Sequence, residues 1–92
     1  MIHLDIIVKG KVQGVFYRAS TKAVADQLGI KGFVSNEDNG DVAIAAEGDK
    51  MIMGMFLDWF KEGPENAEVT SVESHEGELK NYRNFDVLRK NR

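Results

Sequence analysis

Val8-Lys9-Gly10-Lys11-Val12-Gln13-Gly14-Val15-Phe16-Tyr17-Arg18 is where the chain changes its period. Before it, Ile2, Leu4, Ile6 and Val8 alternate with His3, Asp5, Ile7 and Lys9, the repeat of a strand. After it, from Tyr17 to about Leu28, good helix formers set Tyr17, Val24 and Leu28 near one face, and Gly29 suits a C-terminal cap. Residues 10–16 between them read as a loop, which Gly10 and Gly14 leave free to curl. Such a junction leaves backbone N–H groups unpaired at the helix start, with the positive end of the helix dipole behind them. Arg18 adds a forked, permanently charged donor that matches phosphate geometry. The composite predicts a socket for a small phosphoryl group, made by the backbone N–H groups of Gln13, Gly14, Val15, Phe16 and Tyr17 with Arg18 at the side. In the plainer reading Arg18 pairs with a surface carboxylate and the glycines only turn the chain.

Working outward, residues 32–36 read as a second strand, and Asn39-Gly40 is a hairpin-turn signal because both residues tolerate positive φ. Val42, Ile44 and Ala46 alternate with Asp41, Ala43 and Ala45 as a third strand. Ile52, Met55, Phe56, Trp59 and Phe60 then form a broad apolar stripe at helical spacing. Asp49 is its candidate N-cap and Gly63-Pro64 its stop. In this reading Trp59, Phe56 and Phe60 are core, while Met51, Met53 and Met55 straddle different faces. Val69 and Val72 mark a fourth strand whose register, with or without a bulge, the sequence leaves open; residues 76–83 read as a polar loop, and Phe85 and Val87 as a last short strand. The order β-α-β-β-α-β plus a terminal strand predicts an α+β, ferredoxin-like sandwich. Right-handed crossovers would place both helices on one face of a mostly antiparallel sheet.

The composition narrows the classes of function. Ninety-two residues suit one domain over 1–92 with a single core, and 42% hydrophobic with 29% charged residues is the balance of a folded globular chain. Twelve basic against fifteen acidic residues leave a net charge of −3, which argues against a nucleic-acid partner. The chain has no cysteine, so disulfides and thiolate chemistry are excluded, and His3 and His75 lack zinc-ligand spacing and are expected to face solvent from strands. No apolar run approaches the roughly 20 residues of a membrane span. The start Met1-Ile2-His3-Leu4-Asp5 has no basic n-region, so the expectation is a cytoplasmic protein with no membrane partner, a monomer by default.

Three segments carry a resemblance to a known family. The run from Val8 to Arg18 resembles the signature of the acylphosphatases, with Tyr17 where phenylalanine is usual. Gly32-Phe33-Val34-Ser35-Asn36-Glu37-Asp38-Asn39-Gly40 resembles its second segment, and Phe56-Leu57-Asp58-Trp59-Phe60-Lys61-Glu62-Gly63-Pro64 its helix ending in Gly-Pro. They follow in the family's order and spacing over nearly the whole chain. Phe33, Ser35 and Asn39 depart from the residues usual there. The resemblance implies the same fold and an enzyme that hydrolyses acyl phosphates to carboxylate and inorganic phosphate, without metal or other cofactor. It also implies that Arg18 and Asn36 are the catalytic residues, Asn36 positioning the attacking water.

The chemistry is compatible with a chain that has no evident nucleophile–base pair. The leaving group is a carboxylate, stable without protonation, so the transition state asks mainly for charge stabilisation and an aligned water. By position alone the favoured reading of Asn36 is that it caps its turn, and only its match to the family's catalytic asparagine reverses that. Gly10-Lys11 is followed by Val12, not Ser or Thr, and no Gly-x-Gly-x-x-Gly occurs, so nucleotide binding is disfavoured. A non-catalytic phosphate-binding module of the same fold is the alternative. An RNA-binding reading, opened by Lys31-Gly32-Phe33, fails because Val34-Ser35-Asn36-Glu37-Asp38 lacks the aromatics that would stack bases.

Overall fold

The computed structural model describes residues 1–14 and 16–88. Strand β1 (Ile2–Lys11) leads into helix α1 (Tyr17–Leu28), followed by strands β2 (Lys31–Asn36) and β3 (Val42–Gly48), helix α2 (Lys50–Glu62), and strands β4 (Glu68–Gly77) and β5 (Phe85–Leu88). The strands form one sheet in the order β4-β1-β3-β2-β5. All pairings are antiparallel except β2 with β5, where Gly32 faces Phe85 and Ser35 faces Leu88. The architecture is the α+β, ferredoxin-like one that the element order implies.

Alternation sets which face is dry. Leu4, Ile6 and Val8 of β1, Val34 of β2, and Val42, Ile44 and Ala46 of β3 join Tyr17 and Ala25 of α1 and Met53, Phe56 and Phe60 of α2 in a single core. Helix α1 packs over β2 and β5, and α2 over β4 and β3. The buried stripe of α2 differs from the expected one: Met53 is core, Met55 is 53% exposed, and Trp59 packs against the core only half-buried. Met53, Phe56 and Phe60 stand at i, i+3 and i+7, so the buried stripe keeps Phe56 and Phe60 but is rotated toward Met53 and away from Met55 and Trp59.

The caps are those the sequence calls for. The Asp49 side chain accepts the Met51 N–H at 3.0 Å, and Gly29 ends α1 at φ 73. Gly10, in contrast, belongs to β1 and not to the loop. It sits at a register shift against β4, where Lys9 pairs Ser71, Gly10 pairs Val69 and Thr70 is left over as the bulge. At φ 127, a Cβ there would come within 2.1 Å of the Glu68 carbonyl oxygen. Close approach of β4, not curling of a phosphate loop, is what requires this glycine.

His3 also differs from expectation: it is 1% exposed, although it points away from the helices. Across the β1–β3 ladder it faces Glu47, and its Nδ1 lies 2.8 Å from the Glu47 carboxylate and its Nε2 3.0 Å from Asp5. Glu47 also accepts the backbone N–H groups of Lys80, Asn81 and Tyr82. The segment 78–84 is thereby folded over the outer face of the sheet, and the Tyr82 ring stacks on His3 at 6.1 Å.

Candidate active site

Because β2 and β5 run parallel, their C-terminal ends reach the same rim of the sheet, and α1 starts beside them. There they enclose a cleft of about 420 Å³. Its walls include Gly14, Phe16, Tyr17 and Arg18 from the loop and α1, Asn36 from the end of β2, and Val87 from β5. The residues that sequence reading singled out around Arg18 and Asn36 therefore converge, though Arg18 and Asn36 lie on different elements.

The start of α1 is built without a competing anion. Phe16 precedes it in the left-handed region at φ 61 and ψ 22, no side chain caps the helix, and no acidic residue lies in its first turn. The Ser20 N–H takes the Phe16 carbonyl at 3.0 Å, so the N–H groups of Tyr17, Arg18 and Ala19 have no place in the helical ladder. Gly14, which also lines the cleft, is likewise at positive φ, 73. Val15, expected in the same socket, lies outside the described residues.

Arg18 donates from Nη1 to the carbonyl of Leu88 at 2.9 Å. That contact fixes the guanidinium to the end of β5 and uses one of its five N–H donors. Among the described residues no ion pair of Arg18 with a carboxylate is seen, so the plainer reading of it as a surface salt-bridge partner finds no support there.

Asn36 is the last residue of β2, and its Oδ1 is buried with no hydrogen-bond partner among the described residues. Leaving such an oxygen unpaired costs about 1–3 kcal/mol, so a native fold keeps one only where something else will use it. The turn-capping alternative does not account for that oxygen, because Asn39 does the capping: its Oδ1 accepts the Asp41 N–H at 3.0 Å. The turn is also wider than the Asn-Gly signal indicates. Only Gly40 has positive φ, and the Glu37 N–H closes onto the Asp41 carbonyl at 2.8 Å, so residues 37–41 connect the strands.

Gln13 has a role that sequence reading missed. Its Nε2 donates at 2.8 Å to both the Glu37 and the Asp41 carbonyls, clamping the hairpin directly after Asn36 onto the loop. Lys22, one turn beyond Arg18, also lines the cleft, with its ammonium held by Asp26 at 3.0 Å and the Phe85 carbonyl at 2.9 Å. The i, i+4 spacing from Arg18 was the available signal for Lys22. Tyr17 is fully buried and its hydroxyl donates to the Phe60 carbonyl at 3.1 Å; burial pushes the phenol well above its ordinary range, so it stays a donor. Among the described residues no group of three or more His, Cys, Asp or Glu could hold a metal, and no helix is long and apolar enough to cross a membrane.

A ferredoxin-like sandwich whose helix start, arginine and strand-end amide share one cleft defines the class to which comparison with known proteins can be put. The acylphosphatase family profile matches residues 4–87. The chain is 44% identical over 89 residues to an acylphosphatase of Acaryochloris marina, covering 97% of this chain and 96% of that one. It is 46% identical over 87 residues to an acylphosphatase of Archaeoglobus fulgidus, covering 95% and 98%. Among solved structures, an acylphosphatase from Bacillus subtilis superposes with a TM-score of 0.93 at 34% identity, covering 96% of this chain and 99% of that one. The chain belongs to the acylphosphatase family, a family of enzymes.

Proposed function

We propose that the chain, acting as one domain over residues 1–92, hydrolyses the carboxyl–phosphate anhydride of a small acyl phosphate. Water attacks phosphorus, the P–O bond to the acyl oxygen breaks, and the electron pair leaves with the carboxylate. The water's proton passes to solvent or to the released phosphate. A carboxylate with a conjugate-acid pKa of about 4 needs no general acid to depart at neutral pH. Arg18 and the N–H groups of residues 13–17 bind the phosphoryl oxygens and stabilise the charge that builds on them. Asn36 accepts a hydrogen bond from the attacking water through Oδ1 and so points it at phosphorus. No step calls on a metal or other cofactor. In this reading the protein works in the cytoplasm as a monomer, with neither nucleic acid nor membrane as partner.

The single observation that supports this most is the buried Asn36 Oδ1, without a hydrogen-bond partner among the described residues, on the same cleft as the Arg18 guanidinium. One offers an acceptor for water and the other a donor for phosphate, which hydrolysis needs at one place. The test is benzoyl phosphate hydrolysis by metal-stripped protein, wild type against Asn36→Ala. Wild type should turn over, and the folded variant should lose about 10²-fold or more in kcat while inorganic phosphate still inhibits. Loss of phosphate inhibition in Asn36→Ala would contradict the water-positioning role. No turnover by folded wild type would leave a non-catalytic phosphate-binding module.

A further inference from the structure

Phe16 is unusual on two counts. Its side chain is 82% exposed, and its backbone sits in the left-handed region, φ 61 and ψ 22, which bulky residues rarely adopt. Strain of this kind collects at ligand-clamping positions. The loop imposes that backbone conformation whatever side chain stands there, and glycine would adopt it freely. A large ring at the position is therefore not explained by the course of the chain, and its exposure shows that the core does not use it.

The cleft has room for such a ring to act on. At about 10–15 Å³ for each water-sized group, the open cleft of about 420 Å³ has room well beyond a single phosphoryl group. The rest is available to the acyl group, and Phe16, Val12 and Val87 give it an apolar wall. Lys22 offers no comparable attraction for an anionic acyl group, since Asp26 and the Phe85 carbonyl already hold its ammonium. We infer that Phe16 is the acyl-group platform of this cleft, its ring covering the acyl moiety so that aromatic acyl phosphates are preferred to small ones. The inference rests on the acylphosphatase reading for its substrate class.

Two measurements test it. The first compares kcat/KM for benzoyl phosphate and acetyl phosphate in wild type and in Phe16→Gly, which accepts the left-handed backbone without strain. The benzoyl-to-acetyl ratio should fall about fivefold in the variant, the size of one aromatic contact. A ratio equal to that of wild type overturns the platform. The second needs neither turnover nor a variant: calorimetric binding of phenacylphosphonate and acetonylphosphonate, non-hydrolysable analogues differing only in the acyl group. Phenacylphosphonate should bind wild type about fivefold more tightly, and equal affinities overturn the inference. Tighter phenacylphosphonate binding without hydrolysis of either acyl phosphate would keep the platform and remove the catalytic reading instead.

Discussion

Tyr17 does two things that phenylalanine in its place could do only by half. Its ring packs between the helices, 5.6 Å from Trp59 and 6.3 Å from Phe60, and its hydroxyl satisfies the Phe60 carbonyl. That carbonyl lies in the last turn of α2, where the helix supplies no donor, so the first residue of one helix caps the end of the other. Tyr17→Phe keeps the ring and strands a buried carbonyl. It should cost about 1 kcal/mol, read as a fall in Tm of about 5 °C, while kcat on benzoyl phosphate changes little. An unchanged Tm would show that the carbonyl finds another donor. That a tyrosine packed inward needs a partner was legible from its type alone. The partner lies 43 residues away, and no local pattern points to it. Arg18 and Asn36 were legible for a different reason, their fixed place in recurring segments, whereas the orphaned Asn36 oxygen required the folded strand end to be seen.

At the scale of elements, the site depends on keeping the β2–β3 hairpin in step with the loop that starts α1. The Gln13 amide makes that link with its two 2.8 Å bonds to residues 37 and 41, which flank the turn just after Asn36. Gln13→Ala frees the hairpin without touching Arg18 or the free N–H groups of α1. Turnover should drop about tenfold through misplacement of Asn36, with the inhibition constant of inorganic phosphate within about twofold of wild type. Equal losses in both would make the Gln13 side chain, and not only its backbone N–H, part of the phosphate socket, and no loss in either would make the clamp incidental. Strand and helix positions were readable from periodicity, and both helix stops from glycine. Register was not. Asn39-Gly40 signals a tight turn, yet the strands stop at Asn36 and Val42, and the longer turn places both carbonyls within reach of Gln13. Gly10 was legible as a special position, but a loop glycine and a bulge glycine look alike until β4 is in place.

At the scale of the whole molecule, the cluster on the outer sheet face ties stability to pH. Strand alternation correctly turns His3 away from the helices, but that the outward face is covered there depends on segment 78–84 returning over it. Burial alone would lower the His3 pKa, yet hydrogen bonds from the ring to Glu47 and Asp5 outweigh it, and the net shift is upward from 6.5. Burial alone would raise the Glu47 pKa, yet the Lys80 N–H, His3 and the Tyr82 and Asn81 N–H groups outweigh it, and the net shift is downward from 4.5. A raised histidine stabilises the fold in full below its unfolded value and loses that contribution as pH rises through its folded value. A lowered carboxylate stabilises it in full above its unfolded value and loses that contribution as pH falls through its folded value. Both contributions are complete only between about 4.5 and 6.5. The urea midpoint should therefore be highest in that window and decline as pH is raised above it. His3→Gln should remove the decline on the alkaline side and leave the acid side, where Glu47 keeps its three backbone donors, largely as it was. A wild-type midpoint that is flat from pH 5 to pH 9 would show that the histidine is neutral throughout and that Glu47 holds segment 78–84 through the backbone N–H groups alone.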